Sequence, residues 1–553
     1  MRRILKSKIY LYLTEFFAGM SVMAVELGAS RLLAPYFSSS QIVWTIIIAT
    51  IMIAMALGNV YGGRSADRDP NPDRLYRRLL IASIWIAAIP VLGKYLIIGV
   101  TGLLVVTVSH NLLVLAAFAA CLLIFVFPCF LLGTCTPSLV RYTVSSAADS
   151  GSTVGKLGAC NTVGSILGTF LPTFVTIPSV GTSVTFLIFS GVLLALSLIY
   201  FLSGRIDAEE TPPGNPGGEG PGGEKKTREG RRTFLMCLIA SCLFAVCTAL
   251  GSSDSFAFWE SGLTYEGESV YNYLQVKDGP NSTVLSTNVL FGVQSVTMKD
   301  YSLTGMYYDC AMAAPVMAGD PSGEDLLILG MGSGTYARQC LHYFGKMNIR
   351  GVEIDEKITE LARKYFDEPE EAEVIAYDGR AYIDSDRLCY DVIMVDAYQD
   401  ITIPFQMSSK EFFTSVRDHL KDGGVMVVNM NMRSRAEDGI NTYLADTIAS
   451  VFPHVCTADV PGSTNRELFA SMEPFSREAY LENVNRLGDP ALKKMLLETG
   501  ERLVPYEGGG RILTDDRAPV ELLGMRAIDE IIEEELVYYK DQFERYGISG
   551  LLS

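Results

Sequence analysis

The sequence predicts two fold classes in one chain: an α-helical transmembrane bundle, and after it an α/β domain preceded by a small β-sheet. Residues 1 to about 251 of the 553 consist mostly of apolar runs, each roughly 20 residues long, which is the length that crosses a bilayer. Residues 268–305 alternate in polarity between turn sequences, which is typical of an antiparallel sheet. From residue 326 to about 475, short apolar runs alternate with helical patterns, which favours a parallel, doubly wound sheet.

The N-terminal half predicts an integral, multi-pass protein of the cell membrane. Charged and polar residues interrupt the first apolar run, so it is not a cleaved signal peptide. The sequence between 203 and 232 is rich in Pro, Gly and Glu and predicts a flexible linker. About seven spans are expected, near residues 9–33, 40–62, 79–101, 111–134, 157–178, 182–202 and 233–251.

The side of the membrane on which the C-terminal domain lies stays open at this point. Basic segments at 1–8, 63–78 and 228–232 favour the cytoplasm by the positive-inside rule. A seventh span at 233–251 would nevertheless place everything after it outside the cell. Either that helix does not fully cross, or another span is miscounted, or the domain is external. The expected domains are residues 1–251, a β-sheet subdomain at 252–320, and an α/β domain at 321–553 whose last part, from about 476, is mostly helical.

Charge and cysteine content exclude several classes of function. A formal net charge of −17 argues against nucleic acid as a partner. The acidic residues concentrate after residue 252, which suits a cationic substrate, although an acidic solvated surface is the simpler explanation. The 11 cysteines have no regular spacing, so we expect neither a disulfide framework nor a metal site.

The most informative stretch is a strand, a glycine-rich turn and a helix. Leu326 to Leu329 form a short apolar run, and glycines follow at positions 330, 332 and 334. Glycines let the backbone approach a ligand closely, and the N-terminus of the following helix offers free N–H groups. Glu353 ends the next predicted strand, about twenty residues later, where an acidic group accepts the hydroxyls of a ribose. The order of these features predicts a nucleoside pocket.

Acidic residues recur at the predicted carboxyl ends of the strands, where ligands bind in an open α/β sheet. Asp378 is placed to accept a hydrogen bond from an adenine amino group, and Asp396 to act on a substrate in the middle of the cleft. The alternative for any one of them is a helix cap. The ordered set favours the functional interpretation, except for Asp355, which we assign to a cap.

These residues resemble the polyamine aminopropyltransferases, the spermidine and spermine synthases. The resemblance runs from about Glu268 to Met472 and includes Tyr307-Tyr-Asp-Cys-Ala-Met-Ala-Ala-Pro315, the glycine turn and Asp396-Ala397. It implies a Rossmann-like fold of the S-adenosylmethionine methyltransferase type. It also implies decarboxylated S-adenosylmethionine as a cosubstrate, no tightly bound cofactor, and a small-molecule amine as acceptor.

The resemblance implies a role for each matching residue. Asp396 matches the general base, which an alkylammonium with a pKa near 10 requires before it can attack. Tyr307 matches a tyrosine of the amine pocket, where Gln399 and Asp400 also fall. The positions that match cosubstrate-binding residues are Gln294, Gly330, Gly332, Ser333, Gly334, Glu353, Asp378 and Gly379.

The departures from the family pattern concern the cationic ligands. Ser333 stands where the family carries an Asp that holds the aminopropyl ammonium, and Gln399 replaces a second Asp that binds the diamine. Asp400 comes one residue later, and Tyr308 replaces a Gln or His. The loss of two carboxylates weakens the electrostatic attraction for a dicationic substrate.

The N-terminal half is similar to a membrane-fused branch of this family, which has a major-facilitator-like helical half. Gly63-x-x-x-Asp67-Arg68 resembles the facilitator loop between the second and third helices, and Asn161 to Gly168 resembles a small-residue helix of that branch. Gly164 and Gly168 would let two helices approach closely. Glu26 and Arg31, inside the first span, either line a substrate path or pair within the bundle.

Three functions are consistent with the sequence. The first is a membrane-bound aminopropyltransferase of polyamine biosynthesis. The second is an S-adenosylmethionine-dependent methyltransferase, because Ser333 does not repel a methionine carboxylate. The third is a transporter or sensor whose nucleoside domain only binds; six or seven spans are few for a complete facilitator, so this function calls for a homodimer.

Overall fold

The structure is a computed structural model of the chain. It describes residues 8–37, 40–107, 112–144, 150–209, 222–252, 255–256, 262–288, 293–397, 403–431, 438–528 and 530. The chain divides into two compact units between Trp259 and Glu260, close to the boundary expected after residue 251.

Within the described residues, the N-terminal unit consists of helices joined by short connections. Its helices are α1 (Lys8–Phe37), α2 (Gln41–Arg68), α3 (Pro72–Thr107), α4 (Leu112–Gly133), α5 (Cys135–Thr143), α6 (Ser150–Leu171), α7 (Ile177–Glu209) and α8 (Gly222–Gly251), with a π-helical turn at Pro172–Thr176. Within the described residues, six helical stretches are long and apolar enough to cross a membrane. One of these, Ser150–Ser203, is 54 residues long and contains two of the expected spans. Its backbone leaves the helical conformation at Gly181 (φ 82°, ψ 168°), which separates them.

The linker expected between residues 203 and 232 is shorter than predicted. Helix α7 continues to Glu209 and α8 begins at Gly222, so both ends of the predicted linker are helical. The sequence after Gly222 contains Glu, Lys and Arg, which are good helix formers, and this outweighs the glycines beside them. Residues 210–221 lie outside the described part of the chain.

Small residues let pairs of these helices touch backbone to backbone. A Cβ atom added to Gly164 would lie 2.0 Å from the carbonyl oxygen of Phe16, and one added to Gly168 would lie 2.1 Å from that of Met20. Helix α6 therefore packs on α1 through the two glycines, as their spacing predicts.

Helix α1 contains a buried carboxyl that the sequence did not single out. Glu15 is fully buried, and its Oε1 accepts hydrogen bonds from the Thr136 hydroxyl at 2.5 Å and from Asn161 Nδ2 at 3.0 Å. Asn161 thus has a structural role in the small-residue helix. Glu26 and Arg31, by contrast, are half-buried.

The C-terminal unit begins with a four-stranded antiparallel sheet, as the alternating pattern predicts. Its strands are β1 (Tyr265–Glu268), β2 (Tyr273–Asp278), β3 (Ser282–Thr287) and β4 (Ser295–Met298), paired in that order. The inward residues of β2 and β3, such as Leu274 and Leu285, pack against Ile358 and Leu361 of the larger domain.

The larger sheet is mixed rather than wholly parallel. Its strands are β5 (Asp325–Leu329), β6 (Asn348–Glu353), β7 (Glu373–Ala376), β8 (Tyr390–Val395), β9 (Leu420–Met430), β10 (His454–Asp459), β11 (Arg466–Ser471) and β12 (Val504–Pro505), in the order β12-β10-β11-β9-β8-β5-β6-β7. The five strands β5 to β9 are parallel, as expected, but β10 to β12 are antiparallel. A short connection joins β10 to β11, and only an antiparallel pair can close so tightly.

Helices cover the sheet and complete the α/β fold. They are α9 (Tyr307–Ala311), α10 (Ala313–Ala318), α11 (Thr335–Phe344), α12 (Glu356–Tyr365), α13 (Gly379–Ser385), α14 (Lys410–Asp418), α15 (Ile440–Ala449), α16 (Arg477–Arg486) and α17 (Pro490–Arg502). Strand β5 pairs with β6 on one side and with β8 on the other. The chain order reverses there, so a ligand site is expected at the carboxyl ends of β5 and β8.

Candidate active site

A cavity of about 230 Å³ lies at this switch point. Its wall is formed by the glycine turn, by the carboxyl ends of β6, β7 and β8, and by residues of the small sheet and α9. Among the described residues that line it, the charged side chains are the three carboxyls of Glu353, Asp378 and Asp396, and none is a Lys, Arg or His. A cavity with this lining favours a cationic ligand.

The glycine turn brings the backbone of β5 against the end of β8. Gly330 has φ 96°, a left-handed conformation that favours glycine. A Cβ atom on Gly330 would lie 2.4 Å from the carbonyl oxygen of Asp396. The Asp396 N–H also donates to the carbonyl of Leu329 at 2.9 Å. The turn and Asp396 are therefore neighbours because the main chain holds them together.

Glu353 is buried at the end of β6, 7 % exposed. One carboxyl oxygen accepts from the N–H of Gly332 at 2.9 Å, and the other from the N–H of Asp355 at 3.1 Å. Burial raises the pKa of Glu353 to about 7, and these two backbone hydrogen bonds oppose the increase. A carboxylate oxygen has two lone pairs, so each can still accept a ligand hydroxyl.

Asp378 and Asp355 both cap helices, and only one of them also lines the cavity. The Asp378 carboxylate accepts from the N–H of Ala381 at 2.8 Å and caps α13. Asp378 and Gly379 also line the cavity. Asp355 caps α12 through the N–H of Lys357 at 3.0 Å, as predicted. Its other oxygen accepts from Ser269 of the small sheet at 2.6 Å.

Gln294 and Ser333, two further residues predicted to bind the cosubstrate, occupy different environments. Gln294 lines the cavity just before β4, and its N–H donates to the carbonyl of Leu285. Ser333 is 1 % exposed, and its hydroxyl lies 2.9 Å from that of Thr335. Thr335 in turn bonds the carbonyl of Val296 at 3.2 Å. The Ser333 side chain thus ties the turn to β4 and does not line the cavity.

Asp396 is held by two side chains at the end of β8. Its Oδ2 accepts from the Tyr307 hydroxyl at 2.5 Å, and its Oδ1 accepts from Asn429 Nδ2 at 3.0 Å. Desolvation raises the pKa of Asp396 to about 7, and both hydrogen bonds oppose that increase. Near neutral pH this carboxyl can exist in either protonation state, as a general base must.

A buried aspartate fixes the short helix that carries Tyr307. Asp309 accepts from the N–H of Gly305 at 2.6 Å and from Gln339 Nε2 of α11 at 2.8 Å. The neighbouring Tyr308 has its hydroxyl on the backbone of Val296, accepting from the N–H at 2.7 Å and donating to the carbonyl. Tyr307 therefore faces Asp396, while Tyr308 fastens α9 to β4.

Two predicted acceptor-site residues, Gln399 and Asp400, lie outside the described residues. In the part of the chain that is described, the acceptor side instead contains polar residues that the sequence did not indicate. Asn429, on β9, contacts Asp396, and Asn465 Nδ2 donates to Asn429 Oδ1 at 2.8 Å. Asn429 closes the apolar run Val425 to Val428 at its carboxyl end, which is the one signal that could have identified it.

Comparison with known proteins identifies related sequences and structures. The spermine/spermidine synthase domain matches residues 306–466. A protein of Bifidobacterium longum (strain NCC 2705), named "Probable polyamine aminopropyl transferase", is 54 % identical over 335 residues, which cover 58 % of this chain and 75 % of that protein. "Polyamine aminopropyltransferase 2" of Pseudomonas aeruginosa is 29 % identical over 222 residues, covering 38 % of this chain and 61 % of its own length.

A solved structure, the spermidine synthase of Thermotoga maritima, aligns with 43 % of this chain and 83 % of its own, at 21 % identity and a TM-score of 0.36. The match to the Bifidobacterium protein covers three quarters of that protein at more than half identity. The chain is a transferase and belongs to the polyamine aminopropyltransferase family, with its spermidine synthase-like domain in the C-terminal unit.

Proposed function

We propose that this chain is a membrane-bound aminopropyltransferase of polyamine biosynthesis, which transfers the aminopropyl group of decarboxylated S-adenosylmethionine to an amine. The observation that carries the proposal is the charge of the cavity, where three carboxyls and no basic side chain are found among the described lining residues. The cosubstrate brings a sulfonium and an ammonium, and the acceptor brings another ammonium. Intact S-adenosylmethionine would bring a carboxylate, for which these residues offer no cationic partner.

The nucleoside end of the cavity, defined as the glycine turn with Glu353 and Asp378, would bind the adenosine part. Glu353 would accept the ribose hydroxyls, because it ends β6 beside the turn and one of its oxygens accepts the N–H of Gly332, while the other accepts that of Asp355. Asp378, which lines the cavity beside Gly379, would accept a hydrogen bond from the adenine amino group.

The acceptor end, defined as Tyr307, Asp396 and Asn429, would prepare the amine. Tyr307 and Asn429 orient the Asp396 carboxylate, which accepts one proton from the bound ammonium. The free amine then forms a bond to the propyl carbon, the carbon–sulfur bond breaks with its electron pair remaining on sulfur, and 5′-methylthioadenosine leaves.

We further propose that the six apolar helical stretches embed the enzyme as a multi-pass protein in the cell membrane. Their support is length and composition, together with large apolar side chains such as Met52, Leu103 and Leu235 that stay more than half exposed in the helical unit. Retention in the membrane fraction after alkaline carbonate washing is the expected result. Protease accessibility of a C-terminal tag would assign the side.

The transfer reaction is tested with the full-length protein in detergent. We expect decarboxylated S-adenosylmethionine to support formation of 5′-methylthioadenosine only when an amine is present, and Asp396→Asn to lower kcat by roughly 10²–10⁴-fold. The matched control is Asp391→Asn, at the other end of the same strand, where the carboxylate pairs with Lys421. Equal turnover in Asp396→Asn and wild type for every amine would refute the assignment of the base.

The second candidate is a methyltransferase, and the buried, uncharged Ser333 is the observation that favours it. A turn without an acidic side chain does not repel the carboxylate of intact S-adenosylmethionine. Comparing the binding of decarboxylated and intact S-adenosylmethionine distinguishes the aminopropyltransferase from the methyltransferase. Tighter binding of intact S-adenosylmethionine, with methyl transfer to any acceptor, would replace the proposed function.

A further inference from the structure

Glu467 is a buried carboxyl that the mechanism above does not use. It lies on β11, is 0 % exposed, and neither of its carboxyl oxygens has a hydrogen-bond partner among the described residues. Buried polar groups almost always have partners, and an unpaired buried carboxylate is strongly destabilising. The carboxyl is therefore neutral in the resting protein, unless something in the site stabilises its charge.

Strand pairing places Glu467 beside the base. It is directly opposite Asn429 in the antiparallel pair of β9 and β11, and side chains opposite each other project from the same face with Cβ atoms about 4.5–5.5 Å apart. Asn429 donates to Asp396 at 3.0 Å. The two carboxyls are thus separated by one intervening side chain.

Within the described part of the chain, the titratable neighbours of Glu467 do not neutralise it. The described titratable groups that interact electrostatically with it are Asp396 after β8, Tyr307 and Cys310 of α9, and Tyr336 of α11, and none of these is basic. Arg502 of α17 contacts the Cys310 sulfur. Burial and the charge of Asp396 both raise the pKa of Glu467 well above its usual range.

We propose that Glu467 is a positioning residue of the transfer reaction, which forms with Asp396 a carboxyl pair that holds one proton and strengthens Asp396 as a base. The inference rests on the proposed aminopropyl transfer. Two close carboxyls resist ionising together, so the more deeply buried Glu467 keeps the proton and Asp396 carries the charge. When Glu467 also ionises, its charge favours a proton on Asp396. The pKa of Asp396 then comes closer to that of an alkylammonium, which is near 10, than it would without Glu467. Asp396 is therefore better able to take the proton.

The test compares full-length wild type with Glu467→Gln, which keeps the shape and removes the ionisation. The measurement is kcat/KM for the amine between pH 6.5 and 9.5 at saturating cosubstrate. Ionisation of the amine is common to both proteins, so the ratio of wild type to variant cancels it. We expect that ratio to be within about twofold of one at pH 6.5 and to rise to about tenfold by pH 9. Glu467→Asp should restore part of the rise.

Glu324→Gln is the matched control. Glu324 is also buried, at 8 % exposed, with one unpartnered oxygen and a pKa raised to about 9 by burial. It precedes β5, at the amino-terminal end of this central strand and so at the opposite end from the cavity. The ratio of wild type to Glu324→Gln should therefore not change with pH. A ratio for Glu467→Gln that is equally flat overturns the inference. Absence of transfer by the wild type would instead refute the proposed function.

A second measurement keeps the inference testable if Glu467→Gln does not fold. The raised pKa of Glu467 in the folded state means that stability is lost as pH rises through that value. Asp396→Asn removes the neighbouring charge and brings that pKa down. Between pH 7.5 and 9.5, Tm should therefore fall less in Asp396→Asn than in wild type, and equal falls would contradict the pairing.

Discussion

The nucleoside end of the cavity is built from main-chain groups and from residues close in sequence, whereas the acceptor end is assembled from side chains on distant elements. Gly330, Gly332 and Glu353 come from one strand–turn–helix–strand unit. Tyr307, Asp396 and Asn429 come from three parts of the chain, with 89 residues between the first two positions and 33 between the last two. The first end therefore leaves no room for a Cβ atom at Gly330, and the second depends on the functional groups of single side chains.

The largest effect is expected at Gly330, where the two ends meet. Gly330→Ala would place a Cβ 2.4 Å from the carbonyl oxygen of Asp396 in a backbone conformation with φ 96°. Because both partners are backbone, neither can move aside. We expect activity below about one thousandth of wild type, with a destabilisation of about 1–3 kcal/mol, measured by turnover and by thermal unfolding.

Gly423→Ala is the control for backbone strain alone. Gly423 also has a positive φ, 76°, but a Cβ there would meet nothing within 4 Å. That variant should lose stability and keep most of its activity. If both variants were equally active, the close approach of the turn to Asp396 would not matter for the site.

An intermediate effect is expected at Glu353, which isolates the nucleoside end. Glu353→Gln replaces a carboxylate acceptor by an amide, so binding of 5′-methylthioadenosine should weaken by roughly 10–100-fold, the loss of charge-assisted hydrogen bonds. Wild type should also bind the nucleoside less tightly below pH 7, because Glu353, whose pKa is about 7, becomes protonated there. Calorimetric titration at pH 6 and pH 8 measures both effects.

The nucleoside itself provides the control for Glu353. Wild type should bind a 2′-deoxy analogue of 5′-methylthioadenosine more weakly than the parent nucleoside. Glu353→Gln should largely lose that discrimination and the pH dependence of binding. Persistence of both in the variant would mean that the carboxylate does not contact the ribose.

The same contrast explains what the sequence could and could not predict. The strand, the glycine turn and Glu353 of the proposed nucleoside end were predictable, because they lie within one short segment whose pattern reflects its own backbone. The acceptor end depends on which strands are neighbours: Glu467 faces Asn429 only because β11 inserts antiparallel beside β9. In the sequence Asn465-Arg-Glu-Leu-Phe469, the pattern alone predicts that Glu467 faces the solvent. The buried Glu15 depends on tertiary packing in the same way, because its partners Thr136 and Asn161 come from other helices.

The smallest effect is expected at Tyr307, where one hydrogen bond at the acceptor end can be removed without changing the main chain. The Tyr307 hydroxyl donates to Asp396 and holds its pKa down. Tyr307→Phe should therefore raise the pKa of Asp396 above about 7. At pH 7 less of the base is ionised, and kcat/KM for the amine should fall about tenfold.

The pH dependence separates ionisation from orientation at Tyr307. At pH 8.5 most of Asp396 is ionised in either protein, so the deficit of Tyr307→Phe should shrink to about twofold or threefold, which is the part due to orientation. Tyr308→Phe is the matched control, because that hydroxyl bonds Val296 on β4 and not Asp396. It should lower Tm and leave the acid limb of the profile in place. A deficit of Tyr307→Phe that is constant from pH 6.5 to 8.5 would show that the hydroxyl orients the base without setting its charge.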